Sequence, residues 1–302
     1  MSSSASFFSS LAARCVRPMR NPMHALVGAV ALVLAGCGGG GSDNGGVFVS
    51  TMGATSVAYS RPMLITVSGT QLDRGIRVTV DSGCGDVTES TGGDALTRRY
   101  TCKVTAVGPL TIRTTNADGR ELARLQVTVP QPEVTMFLQG LGTTQTMLVI
   151  QLDPARAPLS VNNFLDYTNN GFYRNVIFHR VVKDFVAQAG GYTAGPVVKT
   201  PTGSAIKLES NNGLKNLRYT VAMARTSVPD SATSQFYINT VDNPALDYKS
   251  ASEPGYAVFG TVITGLDVVD QLNAVATRVD LASGLTHLPV TNVLISSALQ
   301  TK

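Results

Sequence analysis

Three long polar side chains in the second half of the chain could take part in chemistry, because each lies in an apolar, strand-like segment. They are Arg180, Gln188 and Gln235. The apolar segments of this region are residues 178–188, 221–225, 234–239 and 255–260. Side chains of this length and polarity are rarely buried without a hydrogen-bond partner. We therefore expect the polar groups to converge on one site.

The other reactive residue types argue against metal-dependent or hydrolytic chemistry. The chain has three histidines, His24, His179 and His287, and neither an HExxH nor a CxxC spacing. Those spacings are the usual sequence signals of zinc and redox sites. We therefore expect no metal, no cofactor and no Ser-His-Asp triad.

In order and spacing, these segments resemble the signature of the cyclophilin peptidyl-prolyl isomerases. The resemblance extends from about Val134 to the C-terminus and includes residues 163–165 and 242–247. Residues 209–215, Glu-Ser-Asn-Asn-Gly-Leu-Lys, look particularly like bacterial members. The resemblance implies a cyclophilin-like, eight-stranded antiparallel β-barrel with two capping helices, and it implies peptidyl-prolyl cis-trans isomerase activity.

The implied chemistry is rotation about the amide bond that precedes proline. Resonance between the carbonyl and the nitrogen lone pair sets a barrier of about 18–20 kcal/mol. At the twisted transition state the nitrogen becomes pyramidal and regains its lone pair, so a positioned donor stabilises that state more than the planar one. Such a site needs one firmly held donor, an apolar slot for the proline ring and groups that fix the neighbouring backbone.

The resemblance assigns a role to each residue of the motif. Arg180 matches the catalytic donor, and we expect Gln188 to brace its planar guanidinium. The residues that match the walls of the proline pocket are Phe185, Val186, Tyr237 and Leu246. Those that match the positions binding the preceding backbone are Gln235, Ala224 and Arg225. His179 and Tyr256 complete the substrate-binding set, with His179 lining the site rather than acting as a base.

Some positions depart from the family pattern, and the arginine of the motif also has a purely structural interpretation. Ala245 stands where many members have a large aromatic residue, which predicts a more open rim. Tyr237 replaces the usual phenylalanine and adds a hydroxyl that needs a partner if it is buried. Without the resemblance, a lone arginine in an apolar strand is more often an ion-pair partner or a side chain that reaches the surface.

The N-terminus has the composition of a secretory signal peptide. The first acidic residue is Asp43, and the preceding stretch contains three arginines, at positions 14, 17 and 20, and an apolar run over residues 25–34. That run is too short for a comfortable membrane span, so we expect residues 1–36 to be cleaved. The true start could be Met1, Met19 or Met23.

Residues 34–37, Leu-Ala-Gly-Cys, resemble a bacterial lipobox. Cleavage before Cys37 would leave it as a lipidated N-terminus, with residues 37–46 as a glycine-rich tether. The absence of Asp after Cys37 fits sorting to the outer membrane, so the expected location is periplasmic and lipid-anchored. The alternative is an ordinary secreted protein with a stray cysteine.

The pattern of residues 47–130 predicts a small, immunoglobulin-like β-sandwich, and the resemblance implies a cyclophilin-like domain over residues 131–302. Short strand-like runs occur at residues 64–67, 76–80, 110–114 and 125–129. Turn residues such as those at 116–119 separate them, which is typical of short antiparallel strands. No cluster of titratable residues occurs there, so a spacer or docking role is expected. Past Pro132, the pattern predicts a strand at 147–152, a helix that begins at Pro158 and a second helix after Gly265.

Cys84 and Cys102 are the two cysteines of the predicted folded region. An oxidising export compartment permits a disulfide between them, which would contribute about 3 kcal/mol through loop closure. Two free buried thiols are the alternative.

Composition limits the partners. The formal net charge is +4, and no basic run with interleaved aromatics occurs, so nucleic-acid binding is not expected. The expected partners are unfolded or flexible proline-containing chains, and we expect a monomer. Two alternatives to an isomerase stay open: a non-catalytic chaperone that binds proline segments on the same fold, and an envelope-docking module in which the sandwich is the functional part.

Overall fold

A computed structural model of the protein describes residues 46–142 and 146–302. The predicted signal peptide, the possible start sites, Cys37 and nearly all of the tether lie outside the described residues. Within the described ranges, no helix is both long and apolar enough to cross a membrane.

The first part of the chain consists of short antiparallel strands. In chain order they are β1 (Phe48–Thr55), β2 (Pro62–Thr70), β3 (Ile76–Val80), β4 (Thr88–Glu89), β5 (Thr97–Lys103), β6 (Gly108–Asn116) and β7 (Glu121–Val129). They form one sheet of order β1-β2-β5-β4 and another of order β3-β6-β7. All four strand-like runs predicted in this region lie within these strands.

Alternate residues of these strands are buried. On β2 the buried residues are Met63, Ile65 and Val67, and on β6 Leu110 and Ile112 are buried. A period of two is what a sheet with one buried face requires. The buried residues of both sheets belong to one hydrophobic cluster. The two sheets therefore share a core.

A turn and a disulfide fix the connections of this part. Between β6 and β7, Asn116 Oδ1 accepts hydrogen bonds from the backbone N of Asp118 and of Arg120, at 3.1 and 2.9 Å. Cys84 and Cys102 form a disulfide across 18 residues of chain. In the loop-entropy view, closing a loop of that size stabilises the fold by about 3 kcal/mol.

The second part is a closed barrel. Its strands are β8 (Glu133–Gln139), β9 (Thr146–Leu152), β10 (Val176–Val182), β11 (Val186–Thr193), β12 (Val197–Val198), β13 (Thr220–Met223), β14 (Phe236–Asn239), β15 (Val258–Thr264), β16 (Thr277–Asp280), β17 (Leu285–Pro289) and β18 (Leu294–Gln300). The order is β10-β18-β8-β9-β15-β13-β14-β11, and pairing of β10 with β11 closes the ring. All neighbouring strands are antiparallel. The short strand β12 also pairs with β11, and β16 pairs with β17 as a separate hairpin.

Two α-helices accompany the barrel in the described residues, α1 (Pro158–Asn169) and α2 (Leu266–Ala274). The predicted helix starts are confirmed, since Pro158 is the first residue of α1 and α2 follows Gly265. A carboxylate from a distant loop caps α1: Glu209 accepts from the backbone N of Leu159 and of Ser160, at 2.9 and 2.7 Å. An acid at this end satisfies free backbone donors and interacts favourably with the helix dipole.

Aromatic residues fill the barrel interior. Phe164 of α1 is fully buried, and its ring centroid lies 5.0–5.3 Å from those of Tyr173, Phe236 and Phe259. This packing anchors α1 against β14 and β15. The inner face of β14, which carries Phe236, is therefore held by core packing. The side chains on its outer face are not needed for that packing and can contribute to a site.

The first part contacts the barrel directly, beyond the connection through residues 130–132. Arg61 donates from Nη2 to Asn169 Oδ1 at 2.6 Å and from Nε to Gln300 Oε1 at 3.2 Å. Gln300 Nε2 in turn donates to the backbone O of Tyr59 at 2.9 Å. Side chains of α1 and β18 thus hold the β1–β2 turn region against the barrel.

Candidate active site

A groove on the outer face of the barrel brings together most of the residues that the sequence singles out. Its volume is about 250 Å³, and the residues that line it are Arg180, Phe185, Val186, Gln188, Ala224, Arg225, Tyr237, Leu246 and Tyr256. The two remaining members of the predicted set, His179 and Gln235, do not line it.

The alternation of the strands explains how one chain supplies both core and groove. On β14, Phe236 and Ile238 belong to the main core, whereas Tyr237 between them belongs to a separate small cluster. On β13, Ala222 belongs to the same small cluster and both of its neighbours to the main core. Successive side chains of a strand point to opposite faces, so the small cluster lies on the outside of the barrel.

A β-bulge places Arg180 in the groove. Phe178 of β10 is a core residue, so strict alternation would also direct residue 180 inward. The register shifts between these two positions: Phe178 pairs with Ala189, and Arg180 pairs with Gln188. An extra residue on one strand re-aims the side chains that follow it. The bulge therefore turns Arg180 to the outer face while the core keeps Phe178.

Arg180 lies beside the apolar slot. Its Cζ is 5.9 Å from the centroid of the Phe185 ring, within the range of a cation–π contact. The expected brace from Gln188 is not what the structure shows. Gln188 Nε2 donates instead to Gln235 Oε1 at 2.8 Å. Gln235 thus acts from outside the groove by fixing Gln188, and the guanidinium donors of Arg180 stay available to a ligand.

The slot is apolar and backed by a buried tyrosine. Val186, Ala222, Tyr237 and Val258 form its buried base, with Phe185, Leu246 and Tyr256 packed against them. The Tyr237 hydroxyl donates to Asn216 Oδ1 at 2.8 Å. Burial raises the pKa of Tyr237 well above its ordinary value, so the hydroxyl stays protonated. The extra hydroxyl therefore has its partner behind the slot rather than in it.

Sequence reasoning did not identify the asparagines behind the slot. Besides the tyrosine hydroxyl, Asn216 Oδ1 accepts from Asn239 Nδ2 at 3.2 Å, and Asn216 N and Nδ2 donate to Asp247 Oδ1 at 2.8 and 3.2 Å. Asn243 Nδ2 bonds Asn239 Oδ1 at 2.7 Å and the backbone O of Phe185 at 2.9 Å. These hydrogen bonds tie the floor of the slot to both of its walls. An asparagine that follows directly on the apolar residues of β14 is the sequence signal that could have pointed to the network, and the structure buries it fully.

The rim is formed by Arg225 and Tyr256. Arg225 Nε and Nη2 donate to the backbone O of Gly255 at 3.0 and 2.8 Å, and its Cζ lies 4.6 Å from the Tyr256 ring centroid. Gly255 has φ 60°, and a Cβ there would come within 2.5 Å of the Leu246 backbone O. Glycine is therefore required where the rim meets the slot. Ala245 is exposed and is not among the lining residues, so this position adds no wall.

His179 is buried beneath the groove. It is 3% exposed, its ring centroid lies 4.6 Å from that of Tyr192 in a tilted arrangement, and its Nδ1 has no hydrogen-bond partner. Burial lowers the pKa of His179 to about 4, with the opposing influence of Ile177 and Gln235 too weak to restore it. The structure thus places the neutral imidazole beneath the groove rather than among the residues that line it.

This burial predicts a pH dependence of stability. The unfolded chain binds a proton at His179 near the ordinary pKa of 6.5 and the folded protein only near 4, so folding stability falls as pH decreases through that window. The loss is on the order of 3 kcal/mol. In His179→Asn, the free energy of unfolding should decline less as pH decreases. Urea denaturation at several pH values measures this. His287→Asn, the same change in the half-buried histidine of β17, is the matched control for the substitution itself. An unchanged slope in His179→Asn would contradict the assignment.

The described residues contain no group of three or more His, Cys, Asp or Glu side chains that could hold a metal ion. The groove instead combines an available guanidinium with an apolar slot and a rigid rim. Such an arrangement can bind an apolar ring and donate hydrogen bonds beside it.

Solved structures that the chain resembles include two crystal structures of a Cryptosporidium parvum cyclophilin type peptidyl-prolyl cis-trans isomerase. One has 22% sequence identity and a TM-score of 0.45, and covers 57% of this chain and 98% of its own. The other, determined in the presence of the dipeptide Ala-Pro, has 24% identity and a TM-score of 0.47, and covers 56% of this chain and 99% of its own.

Curated relatives give a closer match. Peptidyl-prolyl cis-trans isomerase B of Escherichia coli (strain K12) is 48% identical over 153 residues, which are 50% of this chain and 91% of that protein. Peptidyl-prolyl cis-trans isomerase cyp18 of Streptomyces antibioticus is 46% identical over 160 residues, 52% of this chain and 95% of that protein. The family model for the cyclophilin type of peptidyl-prolyl cis-trans isomerase matches residues 140–299, just over half of the 302 residues. The chain belongs to the cyclophilin type peptidyl-prolyl cis-trans isomerase family.

Proposed function

We propose that the protein is an exported peptidyl-prolyl cis-trans isomerase that accelerates the folding of X–Pro-containing chains in the periplasm. The observation that carries the activity is the position of Arg180, whose guanidinium lies next to the apolar slot and has no acidic partner in the described residues. Family membership supplies the reaction. The export and the periplasmic substrates are the added part of the proposal.

The geometry supports a mechanism without proton transfer. The proline ring enters the slot between Phe185, Leu246 and Tyr237, and burial of apolar surface holds it there. The Arg180 N–H groups then donate to the prolyl nitrogen as it becomes pyramidal, which stabilises the twisted state more than the planar one. No general base is needed, and the neutral, buried His179 is not placed to be one.

A refolding experiment tests the folding role. A denatured protein whose slow refolding phase is limited by X–Pro isomerisation should refold faster in proportion to the amount of full-length mature protein added. The final yield should not change, because a catalyst leaves the equilibrium unchanged. An unaltered slow phase with reduced aggregation would instead identify a binding chaperone.

The proposed location rests on residues 34–37 and their flanks, which precede the described part of the chain. A lipid on Cys37 would retain the protein at the membrane, although a single acyl chain binds only weakly and stable anchoring takes more than one. Wild-type protein should incorporate labelled fatty acid and fractionate with the outer membrane, and Cys37→Ser should be released to the soluble periplasmic fraction. Soluble, unlabelled wild-type protein would contradict the anchor.

A further inference from the structure

Two guanidinium groups and no acidic side chain line the groove, among the residues that the structure describes. Neither Arg180 nor Arg225 forms an ion pair within residues 46–142 and 146–302. Arginines elsewhere in the protein pair with Asp or Glu, and they include Arg98, Arg113, Arg124, Arg156, Arg218 and Arg278. The groove therefore carries positive charge that its own lining does not compensate.

Neighbouring acids are engaged elsewhere. Asp247, behind the slot, accepts from Asn216 and lies 3.6 Å from Lys215 Nζ. Glu253, on the loop that leads to the rim, pairs with Lys249 at 2.7 Å. Since these carboxylates already have cationic or amide partners, they do not supply a counter-charge inside the groove.

Arg225 is held in place before any ligand binds. Its Nε and Nη2 donate to the backbone O of Gly255, its Nη1 donates to the backbone O of Thr226 at 2.9 Å, and its planar face stacks on Tyr256. A guanidinium has five N–H donors, so two remain after these three bonds. A charge that is already fixed loses little conformational freedom when it binds an anion.

We propose that Arg225, together with Arg180, makes this groove select X–Pro segments that carry an aspartate or glutamate close to the proline. This inference rests on the proposed isomerase function and adds a substrate class to it. The acid lies within about two residues of the proline, which is the reach of an extended chain across a groove of this size. A carboxylate accepts charge-assisted hydrogen bonds from the free donors of Arg225, whereas a lysine at the same place is repelled.

The test compares peptides that differ only next to the proline. Full-length mature protein is assayed with Glu, Gln or Lys placed before the proline, and with the same set placed after it. At about 0.02 M salt, the Glu peptide of at least one set should have a kcat/KM about three- to tenfold above that of its Lys counterpart, with Gln between them. At about 0.5 M salt the difference should shrink, because the attraction between partly exposed charges is screened.

Three variants locate the effect. Arg225→Gln should bring the Glu-to-Lys ratio of kcat/KM close to one, and Arg225→Lys should keep part of it. Arg218→Gln is the matched control: it removes the same charge from a surface arginine that pairs with Asp270 outside the groove, and it should leave the ratio unchanged. A ratio within one variant is independent of how much of that variant is active.

The outcomes separate this inference from the function on which it rests. Equal rates for the Glu and Lys peptides with the wild type would overturn the selectivity and leave the isomerase standing. Retention of the full ratio in Arg225→Gln, or an equal loss in Arg218→Gln, would overturn the role of Arg225. Failure to accelerate any peptide would overturn the isomerase function itself. If Arg225→Gln does not fold, Arg225→Lys decides, and an undiminished Glu-to-Lys ratio in that variant would overturn the role of Arg225.

Discussion

Replacing Arg180 by alanine should lower kcat/KM for an Ala-Pro peptide by about a hundredfold. The guanidinium meets the prolyl nitrogen only when the amide is twisted, so its loss removes stabilisation of the transition state rather than of the bound peptide. Binding of the peptide, measured by titration, should weaken by less than about threefold. Thermal unfolding should stay close to wild type, because the side chain is half-buried in an open groove and has no ion pair there.

Two further variants serve as comparisons for Arg180→Ala. Phe185→Ala removes apolar contact from the slot, so it should weaken peptide binding and kcat/KM together. Arg180→Lys keeps the charge but lacks the planar fork, so it should recover only a small part of the activity. If Arg180→Ala weakens binding as much as it lowers kcat/KM, the arginine binds substrate uniformly and is not the catalytic donor.

Asn216→Ala should destabilise the protein strongly, although Asn216 does not line the groove. It leaves the buried Tyr237 hydroxyl without its acceptor, removes one acceptor of the buried Asn239 Nδ2 and removes the Nδ2 donor to Asp247, while the backbone N at position 216 keeps its bond to Asp247. Unsatisfied buried polar groups cost about 1–3 kcal/mol each, so a total loss of about 3 kcal/mol in unfolding free energy is expected. KM should rise as well, since the same network holds the floor of the slot.

A double-mutant cycle tests whether the network is the cause. Tyr237→Phe should cost less in the Asn216→Ala background than in the wild type, because the hydroxyl has already lost its partner. Asn273→Ala is the matched control: it removes an asparagine whose hydrogen bonds lie at the exposed turn with Asp184. Additive effects of Asn216→Ala and Tyr237→Phe would show that the two side chains are not coupled.

Much of the barrel could be predicted from local pattern. The strand at residues 147–152 and the starts of both helices follow from alternation, from proline at a first helical position and from glycine before a helix, all of which act within a few residues. The family resemblance placed Arg180, Phe185, Leu246 and Tyr256 at one site, and the structure brings them together. These features depend on the order of residues along the chain, which can be read directly from the sequence.

The partners of individual polar groups could not be predicted in this way. Gln188 and Gln235 are 47 positions apart, and which donor each side chain meets depends on the bulge in β10 and on the rotamers it permits. Glu209 caps a helix that begins 51 positions earlier, and no local rule connects the two. The burial of His179 has the same origin, because a one-residue shift in register exchanges the two faces of a strand.

Exchange spectroscopy by NMR on an Ala-Pro peptide, in the presence of the full-length protein, tests directly whether Arg180 is the catalytic donor of an isomerase. Uncatalysed exchange takes about tens of seconds, so cis and trans signals do not interconvert during a short mixing time. We expect cross-peaks between the cis and trans signals with the wild type, at an unchanged cis-to-trans ratio, and their loss with Arg180→Ala. Binding of the peptide in the groove without any exchange enhancement would contradict catalysis and identify a binding module on a cyclophilin fold.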